Sequence, residues 1–136
     1  MRLEITRRAE LAVRAMVLLG NTESHMKAPA LATELDTTAG FVSQVVGPLV
    51  KAGWVRSDPG PTGGYLNRVA LSGVSVLEVI EVVDGATDAG RCVVADRPCN
   101  ANVPCALHVA WGRARGELME ILGGTLLSDL SVGAAL

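Results

Sequence analysis

The chain has 136 residues, of which 49% are hydrophobic, 3% aromatic and 19% charged, and its formal net charge is −2. These values predict one small domain with a core of mostly Leu, Val and Ala, and they exclude a disordered chain. No apolar run approaches the roughly eighteen residues that a membrane helix needs, and no signal-peptide pattern follows Met1. We therefore expect a soluble, cytoplasmic protein without a membrane partner.

The charges are divided unevenly along the chain. Residues 1–73 hold eight Lys and Arg against six Asp and Glu, whereas residues 74–136 hold four against eight. A mildly basic half followed by an acidic half fits a nucleic-acid-binding module joined to a sensing or assembly module. We therefore predict a domain boundary near residue 73.

Apolar residues recur with helical spacing through the N-terminal half. They predict helices over Arg7–Gly20, Ala28–Leu35 and Ala39–Ala52, with Asp36–Thr38 as the turn between the last two. This order is typical of a helix-turn-helix, whose second helix enters the major groove of DNA. An ordinary helical hairpin would show the same pattern, and these residues alone do not separate the two.

The second helix of this motif carries polar residues suited to DNA. Ser43 and Gln44 are residue types that bind base edges and phosphates. Thr38 ahead of the helix and Lys51 near its end complete the candidate set there. Pro48 lies inside the helix, where it removes an N–H, so we predict a kink near Gln44.

Two short β-rich stretches follow, Trp54–Ser57 and Tyr65–Leu71, separated by the turn residues D-P-G-P-T-G-G of Asp58–Gly64. Two strands joined by a glycine loop directly after a helix-turn-helix predict a wing. Arg56 and Arg68 flank this loop and could reach phosphates or a minor groove. Taken singly, each arginine is better explained by a solvated strand-face charge, whereas the order of helices and strands favours DNA binding for the group.

The C-terminal half begins with a helix over Ser75–Asp84, which opens with a capping box. Residues Thr87–Pro104 lack periodicity and predict a functional loop. A long helix is predicted over Cys105–Leu122, and its apolar stripe predicts a dimer contact, with packing on the same domain as the alternative. The stripe on this helix consists of Leu107, Ala110, Trp111, Ala114, Leu118, Ile121 and Leu122. After the helix, the apolar run Thr125–Leu130 could fold onto the partner.

All three cysteines and one of the two histidines lie between Cys92 and His108. In a reducing cytosol, an odd number of cysteines favours ligation or a reactive thiol over a disulfide framework. Thiolates are the ligands of iron–sulfur clusters, and a three-Cys, one-His set also suits structural zinc. A metal-free thiol redox switch stays open. An enzyme is not expected, because no C-x-x-C motif or nucleotide-binding glycine loop is present. The other histidine, His25, is predicted to be a solvated loop residue.

The chain resembles the winged-helix iron–sulfur transcription regulators of the IscR and NsrR type, the Rrf-two family. The resemblance to this family spans nearly the whole length of the chain. Its motifs are M-R-L, E-L-A-V-R-A-M, F-V-S-Q, K-A-G-W-V, G-G-Y-L and V-L-E-V-I-E-V-V-D-G, followed by the three cysteines and L-H-x-x-W.

The resemblance implies a mainly α fold with a small β-wing and a long C-terminal dimerisation helix. Residues 1–73 would be the DNA-binding domain, and residues 74–136 the cluster-binding loop and dimerisation helix. A homodimer would bind a double-stranded operator and take no small-molecule substrate. A 2Fe–2S or 4Fe–4S cluster would sense redox state, nitric oxide or iron–sulfur status.

The same resemblance implies which residues form each site. The cluster ligands would be Cys92, Cys99 and Cys105, with the fourth ligand either His108 or Glu10 of the partner subunit. We favour Glu10, because a cross-subunit ligand would tie the cluster to dimer geometry. Ser43 and Gln44 match the recognition helix, and the residues that match the wing are Gly63, Gly64 and Tyr65.

Overall fold

The computed structural model describes Met1 and residues 3–95, 97–100 and 102–130. Within these residues, five α-helices and two strands follow one another in the order α1, α2, α3, β1, β2, α4, α5. Their bounds are Arg7–Gly20, Ala28–Glu34, Ala39–Lys51, Val55–Asp58, Gly64–Asn67, Val76–Asp84 and His108–Gly124. A mainly α fold with a small antiparallel β-wing is therefore confirmed. No helix in these described ranges is long and apolar enough to cross a membrane.

A hydrophobic core holds helices α1 to α4 together. Each fully buried Leu in it contributes about 2 kcal/mol through removal from water. Val74, Val79 and Leu127 of the acidic half pack in the same cluster as the N-terminal helices. The boundary at residue 73 stays a prediction, since the two regions share this core. The largest fully buried side chains are Leu11, Met16, Leu19, Leu31, Leu35, Leu49 and Leu127.

Local capping fixes where these helices begin. Thr6 caps α1 by accepting the N–H of Ala9 at 3.1 Å, and its hydroxyl donates to Asp84 at 2.8 Å, which ties α1 to the end of α4. Ser75 and Glu78 form the predicted capping box of α4. Helix α3 includes Pro48 and runs from Ala39 to Lys51, so the kink near Gln44 stays a prediction.

The second wing strand is shorter than predicted. It ends at Asn67 rather than Leu71, because the Asn67 side-chain amide donates to the carbonyl of Val69 at 2.6 Å and turns the chain. Leu71–Gly73 then forms a 3-10 turn. The two strands pair antiparallel, with Arg56 opposite Leu66 and Asp58 opposite Gly64.

A loop segment pairs with the free edge of β2, which the sequence pattern did not predict. Met26, in the loop between α1 and α2, pairs antiparallel with Tyr65 through two backbone hydrogen bonds of 2.9 and 2.8 Å. The middle strand β2 therefore lies between β1 and the loop segment 25–27. This pairing joins the wing to the helices in front of it.

The C-terminal region departs from two expectations. Helix α5 begins at His108 rather than Cys105, since Pro104 is followed by a turn before the helix. The run Thr125–Leu130 folds onto its own chain: Leu127 is fully buried, and its N–H donates to the carbonyl of Val74 at 2.9 Å. The remainder of the tail, residues 131–136, lies outside the described residues.

Candidate functional site

Helix α3 presents its polar residues away from the core. Val42, Val45, Val46 and Leu49 are buried, whereas Ser43, Gln44 and Lys51 are exposed. Gln44 and Lys51 are seven residues apart and therefore lie on one face of the helix.

Two hydroxyls of the predicted DNA-binding set also form hydrogen bonds within the first turns of α3. Thr38 caps the helix by accepting the N–H of Phe41 at 3.2 Å, and the Ser43 hydroxyl donates to the carbonyl of Gly40 at 2.9 Å. Both Thr38 and Ser43 are exposed. The structure thus places the four candidate residues of α3 at its surface, and their contact with DNA stays a prediction.

The wing residues divide into exposed cations and structural positions. Arg56 and Arg68 are exposed, whereas Tyr65 is half-buried and packs against the core. Gly63 is buried, and a Cβ there would collide with the carbonyl of Asp58. Gly64 has a φ of +134°, and its Cβ would lie 2.7 Å from the carbonyl oxygen of Met26. The glycines are therefore required by the backbone.

The carboxylate of Asp58 on the wing is within hydrogen-bond distance of two basic side chains. Asp58 Oδ2 lies 2.6 Å from His25 Nε2 and 2.8 Å from Arg56 Nε. His25 is thus a paired, partly buried residue, and the prediction of a solvated loop histidine is wrong. Its sequence neighbourhood is polar, and the partner is 33 residues away in the chain, so no local pattern could have shown the contact.

These contacts hold the pKa of Asp58 below its ordinary value of 3.8, first through the hydrogen bond from His25 and then through that from Arg56. A carboxyl whose pKa is depressed in the folded state stabilises the fold at pH values above its unfolded-state pKa. This stabilisation is lost as the pH falls through the folded-state pKa.

We expect His25→Ala to raise the Asp58 pKa, measured by NMR titration of side-chain carboxyl carbons. The same change at exposed Glu23, Glu23→Ala, is the control and should leave it unchanged. An unaltered Asp58 pKa in His25→Ala would contradict the assigned contact.

The loop before α5 brings the cysteines and His108 together in two pairs. Cys99 Sγ lies 2.8 Å from His108 Nδ1. The thiol of Cys105 lies near Cys92 and contributes, after backbone hydrogen bonds, to lowering its pKa. Each pair thus joins the loop to the turn at the start of α5. All three cysteines are half-buried and free of disulfides.

Backbone hydrogen bonds hold the first two cysteines in place. The N–H of Cys92 donates to the carbonyl of Arg97 at 2.9 Å, and that of Cys99 donates to Gly90 at 2.7 Å. The N–H of Val94 points at Cys92 Sγ at 3.4 Å. Backbone donors at Val94 and then Ala95 lower the pKa of Cys92, because they stabilise the thiolate.

The donor chemistry of this loop fits a thiolate-bound centre. Cys99 contacts His108, Cys105 lies near Cys92, and the sulfur of Cys92 already receives backbone N–H groups. Within the described ranges, no three His, Cys, Asp or Glu side chains are close enough to hold a metal ion as they stand. The two pairs would have to approach each other to share one centre.

The remaining ligand candidate, Glu10, lies on the first turn of α1. Its carboxylate is 3.4 Å from both Arg7 Nη1 and Arg14 Nη1. Arg14 also donates to the carbonyl of Leu35, next to the turn before α3. Glu10 therefore has cationic partners within its own helix, and its role as a cross-subunit ligand stays a prediction.

The family model described as "Rrf2: Iron-dependent Transcriptional regulator" matches residues 5–132. The chain belongs to the Rrf2 family. It is a DNA-binding transcription regulator with a winged helix, and its relatives and fold are those of regulators rather than enzymes.

Named relatives agree with this assignment. The transcriptional regulator IscR of Escherichia coli is 29% identical over 130 residues, which cover 94% of this chain and 80% of that protein. Two solved structures share the fold: CymR, the global cysteine regulator of B. subtilis, and T. potens IscR. CymR has a TM-score of 0.76 at 24% identity, covering 94% of this chain and 95% of CymR. T. potens IscR has a TM-score of 0.71 at 20% identity, covering 93% and 85%.

Proposed function

We propose that this Rrf2 regulator is a homodimer whose operator binding is controlled by an iron–sulfur cluster held by Cys92, Cys99 and Cys105. When bound, the cluster would supply redox and nitric-oxide reactivity to an exposed loop. IscR is among the relatives, and the donor set of the loop is the one that such clusters use.

The proposal rests chiefly on the two pairs that connect the loop to α5. His108 is the first residue of α5 and contacts Cys99, while Cys105, three residues before the helix, lies near Cys92. A change in ligation would therefore act directly on the start of this helix. If α5 forms the dimer contact, its displacement would alter the separation of the two recognition helices. That separation must match half-sites about 34 Å apart.

The surface of α5 supports a contact with a second copy. No residue of α5 is buried within one chain, and the helix packs on α4. Trp111 and Leu122 of the predicted stripe are half-buried on the α4 side. Leu107, Leu118 and Ile121 are 47%, 44% and 60% exposed. An apolar strip of this kind is typical of a subunit interface.

The test begins with anaerobic purification and an absorbance spectrum, together with iron, sulfide and zinc assays. We expect a coloured protein that contains iron and sulfide. A DNA duplex selected from random sequence by the cluster-loaded protein is then titrated with both cluster-loaded and cluster-free protein. Affinities should differ by about tenfold or more, the usual range of a coupling free energy. Equal affinities would contradict cluster control, and a colourless protein with one zinc per chain would indicate structural zinc instead.

A metal-free thiol switch is a second candidate, favoured by the proximity of Cys105 to Cys92, whose pKa is lowered. In this reaction the two thiols lose two electrons and two protons and form one disulfide bond, while a hydroperoxide is reduced to water and an alcohol. Mass spectrometry of metal-free protein treated with a hydroperoxide tests it. A Cys92–Cys105 disulfide with altered DNA affinity would support this candidate, and unchanged thiols would contradict it.

A further inference from the structure

We propose that Asp58 is a positioning residue for DNA binding: together with His25, it holds the guanidinium of Arg56 in the orientation that meets the DNA backbone. The proposal rests on the proposed DNA contact of Arg56. It concerns a carboxylate, which a binding surface for polyanionic DNA would ordinarily exclude.

The register of the wing explains how these side chains meet. Arg56 lies opposite Leu66, and Asp58 lies opposite Gly64. Since Met26 pairs with Tyr65, the antiparallel register places His25 beside Leu66. Arg56, Asp58 and His25 therefore lie on one face of the wing, with β2 between β1 and the loop segment that carries His25.

The contact between His25 and Asp58 spans the strand β2. Asp58 belongs to β1 and His25 to the loop segment on the other side of β2, so their backbones are about 9.5 Å apart across the sheet direction. Gly64 lies between Asp58 and Lys27, where its φ of +134° and the close approach of the Met26 carbonyl require a glycine. The imidazole Nε2 of His25 lies 2.6 Å from Asp58 Oδ2.

The loop segment that carries His25 is itself fixed to the wing. Lys27 Nζ donates to the carbonyls of Gly60 and Gly63, at 3.1 and 3.3 Å. Together with the backbone pairing of Met26, these bonds anchor the segment at both ends of the glycine loop. His25 thus approaches Asp58 from a rigid support rather than from a solvated loop.

The atom through which Arg56 binds Asp58 favours a role of Asp58 in orienting the guanidinium over one in neutralising its charge. Its Nε–H donates to Asp58 at 2.8 Å, and the side chain remains 50% exposed. A carboxylate bonded at Nε orients the planar guanidinium and leaves its two terminal amino groups outside this hydrogen bond. These groups form the fork that binds phosphate oxygens in a bidentate manner. Asp58 Oδ2 accepts from both His25 and Arg56, so its own orientation is constrained from two sides.

The experiment compares Asp58→Ala with the matched control Glu23→Ala, using the selected duplex and a scrambled duplex over a range of salt concentrations. Both variants remove one negative charge from the DNA-binding half, and Glu23 is exposed two residues before His25. Charge removal alone predicts tighter binding for both. Positioning predicts that Asp58→Ala binds about fivefold more weakly, because an orienting charged hydrogen bond is lost. Its salt slope should fall towards that of Arg56→Ala, a decrease of about one.

A double-mutant cycle separates positioning from general damage. In the Arg56→Ala background, Asp58→Ala should no longer weaken binding. Arg56→Lys keeps the charge but lacks the fork, and we expect it to bind like Arg56→Ala. His25→Gln, which retains a donor, should bind better than His25→Ala. Circular dichroism melts check the fold, and the Arg56→Lys result tests the proposal even if Asp58→Ala does not fold.

Distinct outcomes identify which assumption fails. Tighter binding by Asp58→Ala, with weaker binding by Arg56→Ala, would overturn positioning and leave the DNA contact intact. Wild-type affinity in Arg56→Ala or Arg56→Lys would overturn the role of Arg56 and with it the positioning. Failure of the wild-type protein to select any duplex would instead contradict the proposed function itself.

Discussion

Replacing any one of Cys92, Cys99 and Cys105 by serine should reduce the iron and sulfide of the anaerobically purified protein to background. Serine preserves side-chain shape but supplies no soft thiolate, which iron–sulfur clusters require. Loss of a second-shell partner typically lowers metal affinity about 10- to 100-fold, and loss of a ligand should exceed that. Absorbance, iron and sulfide per chain are the measurements. Full occupancy in any of the three variants would exclude that cysteine as a ligand.

The fourth ligand is tested by His108→Ala against Glu10→Gln. His108 Nδ1 lies 2.8 Å from Cys99 Sγ, whereas the Glu10 carboxylate is engaged by Arg7 and Arg14 at 3.4 Å each. Ligation by Glu10 would therefore require it to leave two cations, so we expect His108→Ala to lose more cluster. His25→Ala and Glu23→Gln are matched controls for the two residue types and should retain it. A larger loss in Glu10→Gln would support Glu10 of the partner subunit as the fourth ligand.

The features that the sequence predicted well are those determined by local interactions. Ser75 caps the helix that follows by accepting the N–H of Glu78, three residues away, as its capping-box pattern predicts. The wing was predictable because its turn residues are contiguous and Gly64 occupies a position that other residues rarely adopt.

The features that were missed depend on contacts between distant segments. Met26 pairs with Tyr65 across 39 positions, which no periodicity within either stretch indicates. Leu127 belongs to a short apolar run, and hydrophobicity alone cannot show whether such a run packs on its own chain or on a partner. The cysteine spacing indicated a ligand set, but the pairing of Cys99 with His108 depends on the turn before α5.

Ile121→Glu should convert the protein from a dimer of about 28 kDa into a monomer of 14.1 kDa. Ile121 is 60% exposed on α5 and lies beside Leu118 on the strip that we assign to the second copy. Burying an unpaired carboxylate in an apolar interface costs several kcal/mol, and about 3 kcal/mol lowers the dimerisation constant by roughly a hundredfold. Light scattering after size-exclusion chromatography measures the mass.

Val109→Glu is the matched control, because Val109 is also on α5 and is 69% exposed. It is twelve residues from Ile121 and therefore points about 120° away around the helix. If the strip is the interface, Val109→Glu should remain dimeric while Ile121→Glu dissociates. The monomeric variant should bind the operator more weakly than the dimeric one. A monomer binds one half-site, whereas a dimer bound at one half-site holds its second recognition helix at high effective concentration near the other. A monomeric Val109→Glu with a dimeric Ile121→Glu would place the interface on the opposite side of α5. The start of that helix, where Cys99 meets His108, would then act on the dimer through a different surface.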